Sequence, residues 1–225
     1  MRYTRVIPLL AVVLISTACG SLGFGQLSTI TSTVADGVGD TAAAAPPTVY
    51  DVTRVVSRRI DNPPFGSYDT IQVEVTFNQT VVLPPPGGSP GPFGAELAFD
   101  LGFNTDLSTG TGTTLGCGSL GTWNGVDYVV LGQGGSPGAR LGDGNYLITD
   151  AGLFPTGEAS VSLSGAVLTV TVPLSAMGND DGQTHLYTFA GNGNGGILNT
   201  TDCAPNPTGA VVTSPRGTPK SGVGR

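Results

Sequence analysis

"TIQVEVTF", residues 70–77, alternates without a break: Ile71, Val73, Val75 and Phe77 fall on one side, Thr70, Gln72, Glu74 and Thr76 on the other. A period of two is the mark of a strand with one face buried and one face wet. The same period recurs along the chain. "AELAFDLGF" (95–103) places Ala95, Leu97, Phe99, Leu101 and Phe103 inward, with Glu96, Asp100 and Gly102 outward. "SVSLSGAVLTVTVP" (160–173) reads as a hairpin: Val161 and Leu163 lead to a turn at Ser164-Gly165, then Thr169 and Thr171 flank Val170. "TVYDVTRVV" (48–56), "VDYVVLG" (126–132), "NYLITD" (145–150) and "THLYTFAG" (184–191) supply further strands. Turn-forming clusters separate them: "DNPPFGS", "PPPGGSPGPFG", "GQGGSPGARLGDG", "GNDDG" and "GNGNGG". No run of twelve or more residues in this region carries a helical period, and "PLSAMG" (173–178) is expected to make one helical turn. The pattern predicts an all-β fold, an antiparallel β-sandwich of about eight to ten strands over residues 48–213.

Composition agrees. Charged residues are 11% of the 225, against roughly 25% in ordinary globular domains. Glycine (36) and proline (17) are abundant, as glycine-rich loops and extended ends require. The formal charge is −7, and Lys220 is the single lysine. A nucleic-acid partner is therefore not expected, because phosphate neutralisation needs clustered Lys and Arg.

The N-terminus has a separate character. Arg2 and Arg5 precede the apolar "VIPLLAVVLIST" (6–17), which has the length of a signal-peptide core and is too short to span a bilayer. Small residues follow, ending in Cys19 within "LISTACGS" (14–21). This resembles the lipobox of bacterial lipoproteins, with Ser16 where that family usually carries leucine three positions before the cysteine. The resemblance implies that Cys19 receives a diacylglyceryl group and becomes the first residue after cleavage. Residues 1–18 would then be the signal peptide and 19–47 a lipid-anchored flexible linker. The protein would be held in the bacterial cell envelope, with the membrane as a partner through its N-terminal lipid. The alternatives are an ordinary secretory signal cut near Ala18 or Gly20, with Cys19 incidental, and a retained helix. Residues 20–47 lack sustained periodicity, as a stalk would, and 214–225 read as a disordered tail.

If Cys19 carries lipid, Cys117 and Cys203 remain as an even pair. Outside the cytoplasm such a pair can oxidise to a disulfide. The alternative is two buried thiols.

"FDLGFNTDLSTGTG" (99–112) is the segment richest in oxygen ligands. Asn104, Asp106 and Ser108 are spaced two apart and followed by Gly110, the way short loops wrap a hard cation such as Ca²⁺. An EF-hand glycine would come one residue earlier, and no downstream glutamate completes such a loop. The competing reading is a capped loop whose side chains bond its own backbone. Otherwise no cofactor is expected. Trp123 and Tyr128 flank "NGVDY" and are the candidates for stacking a ligand ring, against a reading as packing residues.

The order "ELAFDLGFNTDLSTGTG", "GVDYVVLG", "AVLTVTVPLSAMGNDDGQTHLYTFAG" and "TDCAPN", across about residues 48–210, resembles the DOMON and family 9 carbohydrate-binding superfamily of extracellular sandwich domains. That resemblance implies a binding role toward sugars, haem or other ligands, or packing against a neighbouring domain. The single tryptophan and the single histidine, His185, depart from the aromatic platforms of sugar binders and the axial ligands of haem binders. No G-x-S-x-G elbow is present, and one histidine does not supply both a catalytic triad and a metal cluster. The expected function is a non-enzymatic envelope lipoprotein whose sandwich binds a ligand, mediates contact or acts structurally, with a glycan or an envelope protein as candidate partner. The alternatives are a calcium-stiffened carbohydrate-binding module and an envelope hydrolase.

Overall fold

The computed structural model describes residues 29–36, 50–61, 68–89, 96–117, 121–132, 140–178, 184–194, 197–205 and 212–214. Residues 1–18, expected to be a signal peptide, Cys19, most of the expected linker and nearly all of the expected tail lie outside the described residues. Among those described, thirteen strands follow in order: β1 (Thr29–Ala35), β2 (Val52–Asp61), β3 (Tyr68–Phe77), β4 (Leu97–Asn104), β5 (Thr113–Gly116), β6 (Thr122–Val126), β7 (Tyr128–Leu131), β8 (Tyr146–Asp150), β9 (Pro155–Ser164), β10 (Val167–Pro173), β11 (Thr184–Asn194), β12 (Ile197–Ala204) and β13 (Val212–Ser214). The expected all-β antiparallel fold is present, with more strands than the eight to ten read from the sequence. No described helix is long and apolar enough to cross a membrane.

Ten strands follow one antiparallel path, β1-β2-β3-β10-β9-β8-β7-β4-β11-β12, with β13 beside β11. β9 is the corner of this path. Its second half, Ser160–Ser164, pairs with β10, and its first half, Pro155–Ala159, pairs with β8. The sheet thus folds over itself and encloses one core. From one side come Val55, Ile71, Val73, Val75, Leu168, Val170 and Val172; from the other come Leu97, Phe99, Leu101, Phe103, Ile148 and Leu186. The open seam is closed by side chains. The Asp202 carboxylate of β12 accepts a hydrogen bond from the backbone N–H of Val52. Arg59, fully buried, donates from Nη2 to the Thr184 hydroxyl at 3.1 Å.

The period-two reading of 70–77 holds: Ile71, Val73, Val75 and Phe77 are buried, and the residues between them are half-buried. The β9–β10 hairpin forms one residue later than expected, around Gly165-Ala166, with Ser164 opposite Val167. The tight loop needs a left-handed residue at its first central position, and Gly165 supplies it at φ +60. "PLSAMG" makes a single 3-10 turn, Leu174–Met177, ended by Gly178 at φ 71.

Three expectations are corrected. Residues 29–35, read as part of a flexible linker, pair with β2 from Thr29↔Ile60 to Ala35↔Arg54. The alternation in "STITSTVA" was too polar to register as a strand, but an edge strand needs only backbone partners. Ser214, read as the first residue of a disordered tail, ends β13 opposite Thr184. The outer face of β4 is not wet: all eight residues are buried, Asp100 and Gly102 included.

The cover on β4 is the β5–β6 hairpin. It closes a second small cluster of Cys117, Trp123, Val126, Val129, Leu131, Tyr187 and Cys203, with Leu115 against it. Gly102 sits beneath, and a Cβ there would lie 2.9 Å from Leu115 Cδ1. Cys117 and Cys203 are joined by a disulfide that ties the end of β5 to β12.

Candidate functional site

Strand register gathers three loop segments at one end of the sandwich. Phe103 pairs with Tyr128 and Tyr128 with Asp150, so the loop after β4, the start of β7 and the turn after β8 are neighbours. Between them lies a cleft of about 330 Å³. Thr105 and Asp106 form one wall, Asp127 and Tyr128 the floor, and Asp150, Ala151 and Gly152 the other wall.

Each wall is organised by a carboxylate. Asp127 Oδ2 accepts from the Thr105 N–H at 2.8 Å, the Thr105 hydroxyl at 3.0 Å and the Asp106 N–H at 3.4 Å. Asp106 Oδ1 accepts from the Ser108 N–H at 2.8 Å, and Oδ2 from the Thr111 hydroxyl at 2.7 Å. Those bonds, the Thr111 hydroxyl first, favour the ionised form and hold the Asp106 carboxyl below its ordinary range. Across the cleft, Asp150 Oδ1 accepts from the N–H groups of Gly152 and Phe154, both at 2.9 Å. The turn is closed by Leu153 N–H to Asp150 O at 2.9 Å and Asp150 N–H to Phe154 O at 3.0 Å.

Both loops carry a leucine in the left-handed region: Leu107 at φ 60 and Leu153 at φ 65. A branched side chain rarely adopts this conformation, so the loop bonds just described enforce it. Leu153 is 65% exposed and Phe154 70%.

The cation candidates are bonded within their own loop. Asn104 is buried and its Nδ2 donates to Ser108 O at 3.0 Å. Both Asp106 oxygens are engaged within the loop, and Ser108 Oγ accepts from Gly110 N–H at 3.2 Å. This is the arrangement of a capped loop. Among the described residues no group of three or more His, Cys, Asp or Glu side chains is placed to hold a metal ion.

The stacking candidates are separated. Trp123 belongs to the small cluster under the hairpin and lies against Tyr187, with ring centroids 5.0 Å apart and 22° between planes. Tyr128 packs against the main core and lines the cleft. His185 is half-buried on β11, and burial pushes its imidazole below its ordinary pKa.

The sequence reading missed Asp127 and Asp150 as organisers of the cleft, and the Leu153–Phe154 tip. A usable signal was present in "DAGLFP" (150–155), where two large apolar residues follow a turn-forming Asp-Ala-Gly and precede proline. The chain matches no protein-family model, no curated protein and no solved structure.

Proposed function

We propose that this chain is a bacterial envelope lipoprotein, tethered through Cys19, whose β-sandwich is a non-catalytic binding or interaction domain. The observation that carries the binding reading is the cleft at the loop end. Its three carboxylates are spent holding backbone N–H groups and hydroxyls, which builds fixed walls around an open space rather than an acid–base pair poised for proton transfer. A rigid concave surface of this kind, carried on loops over a cross-linked scaffold, suits recognition. Its acidic lining favours a partner with cationic or hydrogen-bond-donating groups over an anionic one. The lipobox-like "LISTACGS" and the exported character of a disulfide support the envelope location.

The tether is tested by mass spectrometry of the mature protein: the N-terminal peptide is expected to begin at Cys19 with a diacylglyceryl group. A free N-terminus beyond Cys19 would sink it. The cleft is tested by thermal-shift screening of wild type and Asp106→Asn against amines, basic peptides and glycans, with Ca²⁺ and EDTA arms. Ligand-dependent melting shifts lost in the variant support the reading. A Ca²⁺-dependent shift together with glycan hits would instead favour a calcium-stiffened carbohydrate-binding module.

A further inference from the structure

We propose that the Leu153–Phe154 turn is a second membrane contact, an apolar tip resting in the interfacial region of the same bilayer that holds the Cys19 lipid. The proposal rests on the tether reading above and adds a surface to it.

The argument begins with direction. β1 starts at Thr29 opposite Ile60. Ile60 lies beside Thr70 of β3, and Thr70 beside Pro173 of β10. β9 runs antiparallel to β10, so its first residues lie at the Pro173 end and Ser164 at the other. The chain therefore enters β1 from the end of the sandwich where the turn before β9 projects Leu153 and Phe154. Four strand spacings separate β1 from β9 along the path, about 19 Å in all. Nine residues lie between Cys19 and Thr29, and the ten residue steps from one to the other reach at most about 36 Å when fully extended. A lipid on Cys19 thus joins the sandwich at this end, with the turn within the tether's reach of the bilayer surface.

The turn is suited to that contact. Leu153 and Phe154 are the two most exposed large apolar side chains among the described residues. The turn beneath them is fixed by two bonds to Asp150 Oδ1 and two backbone bonds. Little conformational freedom remains to be lost on docking. Leucine and phenylalanine are residues that enter the headgroup–acyl boundary. The neighbouring Asp106 and Asp127 set the lipid preference, because carboxylates next to the tip are repelled by anionic headgroups. Contact is expected with zwitterionic bilayers and is expected to weaken as anionic lipid is added.

The test uses the full-length lipidated chain in phosphatidylcholine vesicles containing shallow nitroxide-labelled lipid. Phe154→Cys introduces one free thiol, labelled with an environment-sensitive fluorophore. Leu163→Cys, exposed near the opposite end of β9, is the control. Mass analysis of the N-terminal peptide runs in parallel. The expected result is a blue-shifted label at 154, quenched several-fold more strongly than the label at 163. Equal or absent quenching with an acylated Cys19 overturns the contact and leaves the tether standing. A blue shift without lipid quenching assigns the tip to a protein surface and also overturns it. An unacylated Cys19 overturns the tether and this proposal together.

Discussion

The indole of Trp123 lies on the ring of Tyr187, centroids 5.0 Å apart and nearly parallel, and only 5% of the tryptophan is exposed. The pair joins the β5–β6 hairpin to β11 of the main sheet, so its role is to hold the hairpin down. Trp123→Ala is expected to destabilise the fold by about 3–5 kcal/mol, the usual cost of truncating a buried aromatic residue. Urea unfolding followed by circular dichroism checks it. A variant as stable as wild type, or one that loses ligand binding with unchanged stability, would contradict the packing role.

Cys117 and Cys203 hold the same hairpin covalently. Their Cα atoms are 6.2 Å apart across a sequence separation of 86 residues. On the chain-entropy account, closing a loop of that length contributes about 4–5 kcal/mol. The double variant Cys117→Ala/Cys203→Ala is expected to lose an amount of that order in urea titration. Both sulfurs are buried, so the native protein should resist thiol reductants until it unfolds. Alkylation kinetics with and without urea separate these cases.

The strand alternation was legible because it depends only on neighbours two residues apart. "TIQVEVTF" and the Val167–Pro173 arm bury the residues their period assigns. The outer face of β4 was not legible. Asp100 and Gly102 look solvent-facing in sequence, yet a hairpin from elsewhere in the chain covers Gly102, and Asp100 is buried accepting from the Gly132 N–H. Trp123 was ambiguous for the same reason, since nothing local tells a stacking ring from a packed one. The cleft needed Asp127 and Asp150 brought beside Thr105 by register, and register is a non-local property. The cysteine pair was reached by counting, which needs no geometry.

Tyr146 should make the fold sensitive to alkali. Its hydroxyl is buried without a hydrogen-bond partner, and burial pushes its pKa up to about 12, partly opposed by the charge of Arg140. In the unfolded chain the phenol ionises near pH 10, while the folded state keeps its proton. Stability from this group is therefore complete below pH 10 and is lost as pH rises toward 12, by about 2–3 kcal/mol in all. Tyr146→Phe removes the orphaned hydroxyl. It is expected to be at least as stable as wild type at pH 8 and to show a shallower alkaline loss. Urea midpoints at pH 8, 10 and 11 check both statements, and identical slopes would refute the assignment.

Asp127 anchors one wall of the cleft by accepting from the Thr105 N–H and hydroxyl and the Asp106 N–H. Asp127→Ala leaves those donors to water and is expected to cost about 1–3 kcal/mol. The loss should be local. Hydrogen exchange at Thr105 and Asp106 is expected to accelerate while amides of β3 and β10 stay protected. Uniform acceleration would mean that the carboxylate supports the whole fold instead.

Gly125 separates backbone conformation from contact. It sits in β6 at φ +82, and a Cβ there would lie 1.9 Å from Ser108 O and 2.7 Å from Asn104 Nδ2. The hairpin and the 104–112 loop therefore meet at a point where no side chain fits. Gly165 also has a positive φ, +60, but nothing lies within 4 Å of its Cβ position. Gly165→Ala should cost only the strained backbone, about 1 kcal/mol. Gly125→Ala adds displacement of the loop and should cost about 2–4 kcal/mol. It should also raise exchange at the Ser108 amide, whose bond to Asp106 depends on the loop staying seated. Equal costs for the two substitutions in urea titration would show that the loop yields freely, and that the wall of the cleft is not held by the hairpin.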